Sequence, residues 1–173
     1  MSETVHELTA DARAEADVYR QGEDRPLTGY VLVMAVFAAL VAGAAGLAAA
    51  TGRRLPSGLD GRDLLLMAAG THKLSRTLTK DAVTSPLRAP FTEYSGTGGP
   101  AEVTEEVRTA NGLRHSIGEL ITCPFCLDLW IATGFAVGLV FAPRHTRFVM
   151  GAFTALTGAD FLHLAYARAQ QSA

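Results

Sequence analysis

Three scarcities narrow this sequence before any motif is read. It has two cysteines, one tryptophan and no surplus of positive charge, with 15 Lys and Arg against 17 Asp and Glu and a formal net charge of -2. A chain without basic excess has no electrostatic footprint for a phosphate backbone, which excludes nucleic-acid binding. Two cysteines cannot staple an extracellular domain, and both fall in the single motif Cys123-Pro124-Phe125-Cys126, so they are read for chemistry. Charge of either sign is absent from Leu27 to Ala50, an apolar run of 24 residues. About 20 residues suffice to cross the hydrocarbon core of a bilayer, so this run excludes an ordinary soluble domain. The 49% hydrophobic content agrees.

What surrounds that run predicts an all-α polytopic membrane bundle of three to four transmembrane helices behind an acidic leader. The leader, residues 1–26, sets seven carboxylates (Glu3, Glu7, Asp11, Glu15, Asp17, Glu23, Asp24) against Arg13, Arg20 and Arg25. Weak helical spacing of Val5, Leu8, Ala12 and Tyr19 predicts a solvated, partly frayed helix. Ala48-Ala49-Ala50 imitates a signal-peptidase site, but the run is too long for a signal-peptide core and the leader is acidic, so 27–50 is expected to be an uncleaved anchor. Its small residues at four-residue spacing, Ala38, Ala42 and Gly46 beside Ala35, Ala39 and Gly43, call for a partner helix, in this chain or in another copy.

Residues 62–167 form the rest of the fold. Leu64 to Gly70 is apolar but short, and His72, Lys73, Arg76 and Lys80 follow at helical spacing. This helix either crosses with its basic end in the headgroups and its polar face in the bundle, or lies in the interface; crossing pairs its neighbours as antiparallel hairpins and is preferred. Asp81 to Arg114, with Pro86, Pro90, Pro100 and the stretch Ser95-Gly96-Thr97-Gly98-Gly99, reads as a loop with a flexible centre. Leu120 to Ala142, charged only at Asp128, and Phe148 to Ala167, with Asp160 and His163, complete the crossings around the turn Pro143-Arg144-His145. Four crossings place ten basic residues on the face shared by the leader, the middle loop and the C-terminus, and five on the other. The positive-inside rule then puts the first face, and with it both termini, in the cytoplasm.

Two groups of residues could carry chemistry. Pro124 suits the first position of a helix, which makes Cys123 its cap and sets Cys126 within the first turn. Dithiol oxidoreductases use such local geometry; alternatively the pair is half of a zinc site at Cys123 and Cys126, with His115 and His72 as completing ligands; or the two are buried small hydrophobes. Asp128, Asp160 and His163 are ionisable groups in apolar segments, expensive unless paired. They point to a proton or ion path, or to intramembrane pairing with Lys73, Arg76 or His72 that fixes helix register.

The stretch Lys73-Leu74-Ser75-Arg76, then Thr79 to Phe91 (TKDAVTSPLRAPF), then Gly118 to Cys126 (GELITCPFC) and Trp130, resembles a family of small bacterial multi-pass membrane proteins catalogued as domain of unknown function 1360. The resemblance implies a multi-pass, non-enzymatic membrane protein and supplies no mechanism. The leading expectation is a structural or interaction protein whose basic segment, with Lys73, Arg76, Lys80 and Arg88, and dithiol motif form a cytoplasm-facing surface for a protein partner, a second copy or anionic lipid. A thiol redox or metal-binding protein is the alternative, and an ion or proton pathway the third.

Overall fold

The structure is a computed structural model that describes residues 2–23, 25–56, 58–108 and 112–172. Asp24 of the leader, Ser57 of the first turn, 109–111 of the middle loop and the two terminal residues lie outside the described residues. The leader is a helix, α1 (Ser2–Arg20), followed by α2 (Leu27–Ala50) with the bounds that its charge-free run predicts. Among the described residues three helices are long and apolar enough to cross a membrane: α2, α6 (Pro124–Phe141) and α7 (Pro143–Gln171).

Between them lies α3 (Gly61–Thr79), too polar to qualify on hydropathy, yet packed against both α6 and α7. Asp60 caps it, its carboxylate accepting the Asp63 N–H at 2.6 Å. The residues α3 buries are Asp63, Gly70, Thr71, Ser75 and Thr79, while Leu64 and Leu65 point outward. A soluble helix does the reverse, hiding its apolar stripe and showing its polar one.

α3 and α7 run parallel and in register. Arg147 grips Asp63 with two bonds at 2.8 and 2.7 Å; one to two turns on, Thr154 donates to the Leu66 carbonyl at 3.1 Å and Thr157 to that of Ala69 at 2.9 Å. Further along, Lys73 meets Asp160 at 2.8 Å. A Cβ at Gly70 would stand 3.1 Å from the Met150 carbonyl oxygen, so the two backbones approach closely there. Small residues and interhelical hydroxyl bonds are how helices associate where water supplies no hydrophobic drive. The apolar core is small: Phe135, Leu139 and Met150, with Leu66, Met67, Leu74 and Ile131 against it.

Two expectations need correction. Residues 81–108 are not a loop with a flexible centre. A 3-10 turn (Ala82–Thr84) and a one-turn helix, α4 (Ser85–Arg88), lead into an antiparallel hairpin of β1 (Thr92–Thr97) and β2 (Val103–Val107), with a bulge between Tyr94 and Gly96. The hairpin is stitched to the end of α3: the Val103 N–H donates to Lys80 at 2.9 Å, the Ala82 N–H donates to Ala101 at 3.0 Å, and Asp81 bridges to Glu102. The third apolar segment also does not begin at Leu120. An amphipathic helix, α5 (Gly112–Thr122), runs through Leu120, and the chain breaks at Cys123 before α6 starts at Pro124. Proline cannot donate the N–H that a continuous helix would need, so the break falls at that bond. The all-α expectation thus holds for the bundle, and the hairpin is added to it.

Candidate functional site

Cys123 is the N-cap of α6 and Pro124 stands in its first turn, as the spacing predicts. The Cys126 N–H donates to Cys123 Sγ at 3.3 Å, so one sulfur takes up a backbone donor that the helix start leaves over. Cys126 is exposed, Cys123 half-buried, and both are free thiols. Glu119 precedes the pair by four residues.

Glu119, on the last turns of α5, collects partners from two elements. Tyr30 on α2 donates to it at 2.5 Å, His115 stands one turn back at 3.5 Å, and Arg25 approaches at 3.5 Å. α2 reaches this point because Gly29 has no side chain: a Cβ there would lie 2.4 Å from both the Gly112 carbonyl oxygen and Ser116 Oγ. Phe37 and Trp130 then meet edge to face with centroids 5.0 Å apart, fixing α2 against α6. The helix break is therefore one locus: two thiols, a carboxylate, an imidazole and a phenol. Among the described residues no three His, Cys, Asp or Glu side chains gather closely enough to hold a metal ion. His115 faces Glu119, and His72 is exposed on α3.

The four basic residues expected on a surface are mostly used inside the chain. Arg88 is 1% exposed, the largest fully buried side chain among the described residues. Its Nε and Nη2 fork onto Glu105 at 2.6 and 3.1 Å, Nη1 reaches the Leu78 carbonyl at 2.8 Å and Thr84 Oγ1 at 2.6 Å, and Nη2 reaches the Asp81 carbonyl at 3.0 Å. A guanidinium so enclosed cannot face lipid or a partner; it ties the end of α3, α4 and β2 together. Arg76 pairs with Glu102 of the hairpin turn and Lys73 with Asp160, which leaves Lys80, half-buried, of the original four. Burial alone would raise the Glu105 carboxyl, but the Arg88 bonds and charge outweigh it and hold the group below its ordinary value.

Of the ionisable groups in apolar segments, Asp160 has found Lys73, whereas His163 is exposed on α7. Asp128 Oδ1 and Thr71 Oγ1 are buried without a hydrogen-bond partner among the described residues. The residues that sequence reasoning missed are Glu105, Glu102 and Tyr30. A signal existed for the first: Val103, Glu105 and Val107 share one face of a period-two strand, so an acid stands where an apolar residue is expected.

The model of a family described as a protein of unknown function, DUF1360, matches residues 66–166. The sporulation protein YjcA of Bacillus subtilis (strain 168) is 33% identical over 82 residues, which cover 46% of this chain and 68% of that protein. No solved structure matches.

Proposed function

Starting from the fact that the chain belongs to the DUF1360 family, whose description assigns no activity, we propose that it is a multi-pass protein of the bacterial cytoplasmic membrane. In this reading α2, α3, α6 and α7 cross the bilayer, and the hairpin forms an ordered cap on the cytoplasmic side. One observation carries the membrane reading. Among the described residues three hydrophobic side chains are buried against seven polar or charged ones, while Val31, Met34, Leu40, Phe148 and Leu162 stand exposed. Water would not tolerate that inversion, whereas lipid supplies the missing apolar solvent.

The cap is the surface the protein offers to the cytoplasm. With Arg76, Arg88 and Lys73 paired inside the chain, little basic charge remains to attract anionic lipid. Val83, Leu87 and Tyr94 are each at least two-thirds or nearly so exposed on that cap, at 84%, 65% and 67%. A protein partner suits such a surface better than a lipid headgroup does. The test is membrane fractionation joined to in-cell photocrosslinking from position 87. Pelleting that resists alkaline carbonate, with crosslinks to protein, is expected. Release by carbonate would refute the membrane reading, and crosslinks confined to lipid would refute the partner. The sporulation role named for the Bacillus subtilis protein stays with that protein.

A second reading, thiol redox or metal chemistry at Cys123 and Cys126, is favoured by one observation. The pair sits at a helix N-terminus with one sulfur receiving a backbone N–H and the other residue exposed.

A further inference from the structure

We infer that Cys123 and Cys126 form a two-coordinate thiolate site for a soft monovalent metal ion, Cu(I) being the physiological one. The inference rests on the second reading above and gives it a ligand class. Zinc wants four donors, and here two sulfurs stand alone: among the described residues no third metal-binding side chain joins them. His115 is turned to Glu119, and the Glu119 oxygens are taken by Tyr30, His115 and Arg25. Thiolates are soft ligands and select Cu(I), a closed-shell ion that two of them can hold without further donors.

The geometry points the same way: Cys123 Sγ accepts the Cys126 N–H at 3.3 Å, which holds the two residues' sulfurs on one side of the first turn of α6. Binding Cu(I) converts two thiols to two thiolates, forms two Cu–S bonds and releases two protons, with no change of oxidation state. The resulting site carries one net negative charge at the first turn of α6, where the helix dipole favours it. Cys126 is exposed at the first turn of α6, so an ion can reach its sulfur without opening the bundle.

The experiment titrates the purified full chain in detergent, reduced and anaerobic, with Cu(I) against the chromogenic chelator bathocuproine disulfonate. One ion per chain should be retained by the wild type and by the His72→Ala and His115→Ala variants, and lost to the chelator in Cys123→Ser and Cys126→Ser. X-ray absorption of the loaded wild type should report two sulfur neighbours and no nitrogen; it needs no variant, so a serine variant that fails to fold leaves the proposal testable. Wild-type copper stripped as readily as from the double serine variant would overturn the inference, as would a nitrogen neighbour or a third sulfur. If the thiols lose copper yet react with maleimide and cycle with thioredoxin, this site fails while thiol chemistry stands. If they are inert to all three, both fail.

Discussion

Replacing Arg88 by alanine should open the cap and spare the bundle. The guanidinium bonds Glu105 through two nitrogens, at 2.6 and 3.1 Å, and reaches two backbone carbonyls as well. Removing it strands a carboxylate that is 7% exposed and takes from the Leu78 carbonyl the donor it has in Arg88. Breaking a buried pair from one side costs about 3 to 5 kcal/mol, and even the lower figure shifts an opening equilibrium by roughly a hundredfold. Hydrogen exchange in detergent or nanodiscs reads this element by element. Amides of β1, β2 and 80–82 should exchange about a hundredfold faster, while those of α3 beside α7 keep their protection. A double variant, Arg88→Met with Glu105→Leu, should recover most of the loss, since an apolar pair replaces an ionic one at little cost. Unchanged hairpin protection in Arg88→Ala would refute the reasoning, and so would equal loss throughout α3 and α7.

Acid should act on the cap through the same pair. The Glu105 carboxyl is held below its ordinary value of 4.5, so the unfolded cap binds a proton more readily than the folded one. Its contribution is complete above that value and drains as pH falls through the lower, folded value; Glu105→Gln should flatten this part of the profile, measured by hairpin exchange. Asp63→Arg should lower the thermal midpoint by breaking the α3 to α7 tie, and the exchange Asp63→Arg with Arg147→Asp should restore part of it; no restoration would mean that packing alone sets that register. Gly29→Val should push α2 off α5, because the space for a Cβ is already filled by Gly112 and Ser116. Trp130 is the single tryptophan and touches Phe37, so its emission should shift in that variant, and an unmoved spectrum would count against the α2 contact.

Much of this fold is legible in the sequence, and what is not has physical causes. α2 is readable to the residue because nothing charged interrupts its run between Leu27 and Ala50. The Cys123 cap is readable because proline has a fixed place at a helix start. The hairpin is hidden because its strands are short and polar and its inward position 105 carries an acid, which makes sense only beside Arg88, 17 residues away. Pro86 and the glycines that suggest a loose loop instead shape α4, the bulge and the turn. The basic residues mislead for the same reason: a charge counted along a chain looks available, and its partner lies elsewhere. Asp160 finding Lys73 is the opposite case, since a lone acid in an apolar segment calls for a cation and one stands at helical spacing on α3.

The most direct test of the central claim, a bilayer crossed four times with the hairpin in the cytoplasm, is cysteine accessibility in intact cells. In a background with Cys123→Ser and Cys126→Ser, single cysteines are placed at Ser95 in the hairpin and at His145 in the first turn of α7, both exposed positions. A membrane-impermeant maleimide should label His145→Cys in intact cells and Ser95→Cys only after permeabilisation. Labelling of Ser95→Cys in intact cells, or identical behaviour of the two positions, would contradict the account.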